Sequence, residues 1–285
     1  MYRSLVAPLV LHCLQGGEAS LVAFGPHAGG KSYTMGTDRL TSKLGVRRHR
    51  DVEDSETDLG ALPRAVQAIF ESLELELQRI GSWTVTICFA EVLNGDVYDC
   101  CSPDDLPLPQ TMSAKHVLSD ARSVRVRSAI EMFAVLGNAA HRRERAWNAY
   151  GDPAVNWFIS IVVERTLQNR HMSGRLTFVD LGTPGDDLAG FFPGASSEYD
   201  AQPSLLALGN LLLSSNRPGV FGAGALQTLT EFLEVVVQRG EETKTKLVML
   251  ACVTPFRDEM PETQLTLRYV QSRSHEQSVV AQIIA

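Results

Sequence analysis

The chain has 285 residues, a formal net charge of −7 and 44% hydrophobic residues, enough for one large domain with a buried core. The acidic balance and the 7% aromatic content argue against a nucleic-acid-binding face. No run approaches the ~20 apolar residues that a membrane-spanning helix needs.

In chain order, residues 4–15 predict a helix. Arg3 ahead of Leu5 to Leu14 has the outline of a short signal peptide, but Pro8 and His12 interrupt it and no small-x-small cleavage site follows. An amphipathic helix packed under the next loop accounts for it better. Ser20 to Phe24 reads as a short buried strand, followed by a helix over 31–36. Residues 37–60 read as a charged flexible loop, in which Arg47, Arg48, His49 and Arg50 are offset by Asp51, Glu53, Asp54, Glu56 and Asp58. A helix is expected over 61–79, where Val66, Ile69, Phe70, Leu73 and Leu77 recur at helical spacing.

Further along, strands are predicted over 83–91, 156–165, 174–180 and 246–253, and helices over 127–138, 204–213 and 225–238. Arg122, Arg125 and Arg127 alternate along an expected edge strand. The tail Ser272 to Ala285 shows no sustained heptads. Strands alternating with helices imply an α/β three-layer sandwich, a central mixed sheet flanked by helices. In such a sheet the ligand sits at the carboxyl ends of strands. Five cysteines, odd in number and without C-x-x-C spacing, read as buried thiols, with Cys100-Cys101 in a turn. No His-Cys cluster has zinc spacing, and Ser160 and Ser214 have no base in a recognisable arrangement.

The chemistry concentrates in residues 25–37, GPHAGGKSYTMGT. Gly25, Gly30, Lys31 and Ser32 fit the G-x-x-x-x-G-K-[ST] phosphate loop without a gap. Backbone N–H groups of such a loop wrap phosphates, and the following helix points its positive end at them. The candidate nucleotide-binding residues are Gly25, Pro26, His27, Ala28, Gly29, Gly30, Lys31, Ser32 and Tyr33. Lys31 would reach the β- and γ-phosphates and Ser32 would ligate Mg²⁺. Asp180 ends an apolar strand, which suits a second metal-holding role. Ser32 and Asp180 are therefore the metal candidates, with ATP or ADP and Mg²⁺ as the cofactors.

The continuation Tyr33-Thr34-Met35-Gly36 resembles the kinesin motor-domain loop more closely than a generic phosphate loop. The resemblance recurs in the family's order at Leu5–Gly16, Gly60–Ala65 (GALPRA), Val85–Asp99, Leu176–Leu181 (LTFVDL), Ser204–Asn210 (SLLALGN) and Glu262–Tyr269 (ETQLTLRY). It implies a kinesin-motor-like P-loop NTPase fold over residues 1–285, with nucleotide and microtubule binding in the cytoplasm and on the cytoskeleton. The strand that kinesins carry before the first helix, with its adenine-contacting segment, is expected to be lacking. Its loss would leave an unpaired strand edge and weaken base selectivity.

The departures from the family pattern carry as much information. Kinesins read N-x-x-S-S-R-S-H in the first switch, whereas this chain, aligned on Asn148, reads NAYGDPAV, with Pro153 at the arginine and Ala154-Val155 at the Ser-His. In the second switch, D-L-A-G-S-E becomes Asp180-Leu181-Gly182-Thr183-Pro184-Gly185, so Thr183 stands at the γ-phosphate-sensing glycine and Gly185 at the glutamate. An arginine lost from such a site costs roughly 10³–10⁵ in rate in related NTPases. The basic microtubule-facing segment is replaced by Val220–Thr230, without its arginine and lysine. Tubulin is acidic, so weaker microtubule binding is expected. Basic patches remain at His141–Arg145, at the Arg122 series and at Arg47–Arg50, each with a solvated surface as the plain alternative.

The expected function is a kinesin-like domain that binds ATP or ADP and, weakly, microtubules, with impaired or absent hydrolysis. One alternative is an active microtubule-stimulated motor, in which Arg142, Arg143 or Arg145 would have to serve near Asp186. The other is a non-enzymatic interaction module on the same fold. A protein partner or dimer is compatible with each, and neither a nucleic acid nor a membrane is expected as a partner.

Overall fold

The computed structural model describes residues 1–27, 29–41, 59–76, 80–104, 106–109, 112–119, 123–147, 155–167, 170–182, 207–208, 225–237, 245–273 and 280–284. Eight strands among them form one mixed sheet: β1 (Glu18–Phe24), β2 (Ile80–Leu93), β3 (Asp96–Asp99), β4 (Val124–Val126), β5 (Asn156–Leu167), β6 (Arg170–Asp180), β7 (Lys246–Cys252) and β8 (Val280–Ile284). Their order is β3-β2-β5-β6-β1-β7-β8, with β4 paired to β2. β1 lies between β6 and β7 and runs parallel to both, while β2, β5 and β6 are antiparallel neighbours. Such a parallel centre is buried on both faces, which is why β1 reads as a continuous apolar run.

The named helices among the described residues are α1 (Ala7–Leu14, preceded by a π-helical turn at Tyr2–Val6), α2 (Lys31–Met35), α3 (Asp38–Thr41), α4 (Ala61–Leu75), α5 (Ala114–Ser119), α6 (Ala129–Trp147), α7 (Ala225–Val237) and α8 (Met260–Arg273). On one face of the sheet, Leu9, Leu62, Ile69, Met132 and Leu136 from α1, α4 and α6 pack on Ile87, Ile159, Leu176 and Leu21. On the other, Val117, Leu229, Phe232, Leu265 and Tyr269 from α5, α7 and α8 cover Val22, Phe158, Val179 and Met249. The three-layer sandwich expected from the alternation is therefore what the chain forms.

Differences from the sequence reading have local causes. α4 is helical through Leu75, the Glu76 N–H still reaches the Ser72 carbonyl, and residues 77–79 of the expected helix, Leu77 among them, lie outside the described residues. α6 runs nine residues beyond the expected 138, to Trp147. It starts at a capping box, in which Ser128 Oγ accepts from the Glu131 N–H and the Glu131 carboxylate accepts from the Arg127 N–H. It continues because Arg143 extends the buried stripe of Met132, Leu136 and Ala140. The polar run His141–Arg145 is thus not simply a solvated patch.

Part of the expected 37–60 loop is ordered as α3, and residues 42–58 lie outside the described residues. β3 follows β2 through Asn94-Gly95, both at positive φ, the two-residue turn that suits the twist of a hairpin. β4 is the edge strand anticipated from the arginine alternation, with Arg125 donating to Thr84 Oγ1 and Arg122 outside the described residues. β8 was not foreseen. It pairs in parallel along β7 from Val248↔Val280 to Cys252↔Ile284, so the edge of β7 away from β1 carries a strand. Of the predicted helix 204–213, residues 207–208 are helical and the rest lies outside the described residues.

Candidate nucleotide-binding site

The sheet register brings the two predicted chemical elements together. Ala23 of β1 pairs with Asp180 of β6, and the Leu181 N–H donates to the Ala23 carbonyl at 3.1 Å. The loop at residues 25–30 thus leaves β1 beside the acidic end of β6. Gly25 has φ +134, and a Cβ there would stand 2.0 Å from the Cys252 carbonyl oxygen at the end of β7. The loop is therefore seated between the ends of β6 and β7, with Cys252 also sharing a hydrogen bond with Thr34 of α2.

Lys31 opens α2 and is 6% exposed. Its Nζ donates to the Gly25 carbonyl at 3.0 Å and to the Pro26 carbonyl at 2.6 Å, across the loop. Burial pushes its ammonium below the usual lysine value, opposed by the Asp180 carboxylate. Asp180 is 7% exposed. It accepts hydrogen bonds from the Thr37 hydroxyl and from Ser32. Burial pushes its carboxyl above the usual value, opposed by the Thr37 bond, by Lys31 and by Ser32.

Ser32 and Asp180, the two metal candidates, are thus in contact. A hydroxyl and a carboxylate are hard oxygen donors of the kind Mg²⁺ takes alongside phosphate oxygens and water. Among the described residues no group of three or more His, Cys, Asp or Glu could hold a metal ion. A metal here would therefore rest on Ser32, Asp180 and the ligand's own oxygens. Tyr33 is 58% exposed beside the loop, His27 is exposed, Pro26 and Gly29 are buried within the loop, and Ala28 lies outside the described residues.

Motif reading missed several contributors. Thr37 follows the motif's last glycine and carried no signal of its own. Cys252 was assigned to an apolar strand, yet its carbonyl walls the loop. Glu91 was read only as part of a family segment, but its carboxylate receives Arg143 Nε at 3.0 Å and Trp157 Nε1 at 3.2 Å. Arg143 also stacks 3.8 Å above the Tyr98 ring. Arg142 donates to the Cys100 carbonyl at 2.9 Å. Two of the three arginines considered as replacements for the switch arginine are thus bound to other partners. Asp186, most of the first switch and the Val220–Thr230 region up to 224 lie outside the described residues.

A phosphate-loop sequence at the carboxyl end of a central parallel strand, in a three-layer α/β sandwich, defines a P-loop NTPase-type fold. The kinesin motor domain model matches residues 1–275, and the chain belongs to that family. Kinesin-like protein KIN-5A of Arabidopsis thaliana is 26% identical over 96% of this chain and 27% of its own length. Kinesin-like protein KIF27 of Homo sapiens is 27% identical over 94% of this chain and 20% of its own length. The chain thus spans about a fifth to a quarter of these curated relatives.

Among solved structures, Drosophila NOD in complex with AMPPNP superposes with a TM-score of 0.68 at 22% identity, over 96% of this chain and 80% of that one. Drosophila Kin10/NOD in complex with divalent manganese and ADP gives 0.65 at 21%, with the same coverage. At these identities the likeness speaks for the fold.

Proposed function

We propose that this kinesin-family domain binds ATP or ADP with Mg²⁺ at the loop of residues 25–33, and hydrolyses ATP slowly or not at all. The observation that carries the first half is the convergence of Lys31, Ser32, Thr37 and Asp180 at the carboxyl ends of β1 and β6. The loop amides and Lys31 would hold phosphate oxygens, and Ser32 and Asp180 would hold the metal. Mg²⁺ would supply charge neutralisation at the terminal phosphates. Tyr33, exposed beside the loop, would complete the set of binding residues.

The second half is supported by the switch sequences and by the arginines. Pro153, Thr183 and Gly185 stand where the family has arginine, glycine and glutamate. Arg142 and Arg143 donate to the Cys100 carbonyl and to the Glu91 carboxylate, which argues against either one replacing the switch arginine. Family membership supports microtubule association, and the missing basic residues in Val220–Thr230 favour a weak interaction. A related solved entity, Drosophila NOD, has been docked with bovine tubulin into a map of its microtubule complex. Among the described residues no helix is long and apolar enough to cross a membrane, and a cytoplasmic, cytoskeletal setting fits the family.

The test is steady-state ATP turnover with and without microtubules, beside a Lys31→Ala control. Turnover at the level of the control is expected in both conditions. Microtubule-stimulated turnover that the control abolishes would replace this reading with that of a working motor.

A further inference from the structure

Two residues open β5, and each ties a different neighbour. Trp157 Nε1 donates to Glu91 Oε2 at 3.2 Å. The other oxygen, Glu91 Oε1, accepts from Arg143 Nε at 3.0 Å and also from Nη2. Arg143 lies one turn before the end of α6, which closes at Trp147. One buried carboxylate therefore holds the last turn of α6 and the first residues of β5 together. On the opposite face of β5, Asn156 Nδ2 donates to the Val92 carbonyl at 3.2 Å. Its Oδ1 accepts the Gly182 N–H at 3.2 Å, two residues past Asp180.

These groups are built into the site's own row of the sheet. Glu91 pairs with Trp157, Trp157 with Asp180, and Asp180 with Ala23. All four side chains are buried. Burying a guanidinium and a carboxylate carries a desolvation cost that an apolar pair of similar volume avoids. What the charged pair adds is direction: a planar fork and two fixed oxygens admit one arrangement of α6 against β2 and β5.

We propose that Glu91, Arg143, Trp157 and Asn156 are positioning residues for the metal and terminal-phosphate end of the nucleotide site. They fix where the chain leaves α6, where it enters β5 and where it leaves β6 beside Asp180. The phosphate loop is held separately, through Lys31 and the Cys252 carbonyl. The tie therefore acts on ligands that carry a metal and a terminal phosphate, and hardly on the phosphates gripped by the loop alone. This rests on the nucleotide-binding reading above.

The test uses the full chain, Trp157→Phe, which keeps a ring against Phe89 and removes the indole N–H, and Asn156→Ala, which removes both amide bonds. Calorimetry would compare MgAMPPNP with ADP in the presence of a chelator. Each variant is expected to weaken MgAMPPNP roughly tenfold, the scale of one lost buried hydrogen bond, and to leave metal-free ADP within about twofold. Equal weakening of both ligands would mean a merely structural role, and unchanged MgAMPPNP affinity would also overturn the proposal.

Amide exchange on the unaltered chain covers the case in which a variant does not fold. MgAMPPNP should slow exchange at Gly182 and in the last turn of α6, whereas metal-free ADP should not. No slowing at either place overturns the proposal. If the unaltered chain binds neither ligand, the nucleotide reading fails and takes this one with it. If it binds both and the variants match it, the positioning role alone fails.

Discussion

A Cβ on Gly25 would lie 2.0 Å from the carbonyl oxygen of Cys252. That approach joins the start of the phosphate loop to the end of β7, and it needs a residue without a side chain at φ +134. Gly25→Ala should therefore destabilise the fold, by about 1–3 kcal/mol from the backbone conformation alone and by more from the clash. Urea denaturation reads this directly. A midpoint equal to that of the unaltered protein would mean the loop is seated elsewhere.

The buried Glu91–Arg143 pair should respond asymmetrically to substitution. Glu91→Gln or Arg143→Met alone leaves a buried partner without its counter-charge and should cost about 3–5 kcal/mol. The double variant should be closer to the unaltered protein than either single one. Chemical denaturation of the four proteins gives the coupling energy, and simple additivity would contradict the arrangement.

The cap of α6 offers a smaller test. Ser128 Oγ accepts the Glu131 N–H at 3.1 Å. Ser128→Ala should lower stability by about 1 kcal/mol, a loss visible in a thermal melt. No change would mean that the helix begins elsewhere in solution.

The phosphate loop, Lys31, Ser32 and Asp180 were legible because a motif with fixed spacing and a strand-terminal carboxylate both depend on local sequence. The five central strands were legible because each is a mostly apolar run rich in Val, Ile, Phe and Leu. The end of α6 was hidden because His141–Arg145 has the composition of a surface, and only the non-local partner Glu91 makes Arg143 a core residue. β3 carried a usable signal in Asn94-Gly95, whereas β8 acquires its meaning only from pairing with β7. Thr37 and Asn156 act through contacts 143 and 26 residues away in the chain, which no spacing rule reports.

Alkaline pH should weaken the fold through its thiols. Burial pushes the Cys13 thiol up to about 12 and that of Cys252 up to about 11, from an ordinary value of 9.0. The folded chain thus keeps protons that the unfolded chain releases above pH 9.0. Stability from these groups is full below that pH and is lost as pH rises toward the folded values. Cys13→Ala should flatten the fall in stability measured between about pH 9 and 10.5. An unchanged slope would mean that Cys13 is accessible to water in the folded protein.

The central claim is that the loop around Lys31 holds a nucleotide. Calorimetric titration of the unaltered chain and of Lys31→Ala with MgADP, with both proteins first shown to be folded by circular dichroism, addresses it most directly. Saturable one-to-one binding that Lys31→Ala abolishes is the predicted result. A folded, unaltered chain that gives no binding heat, or binding that survives Lys31→Ala undiminished, would contradict it.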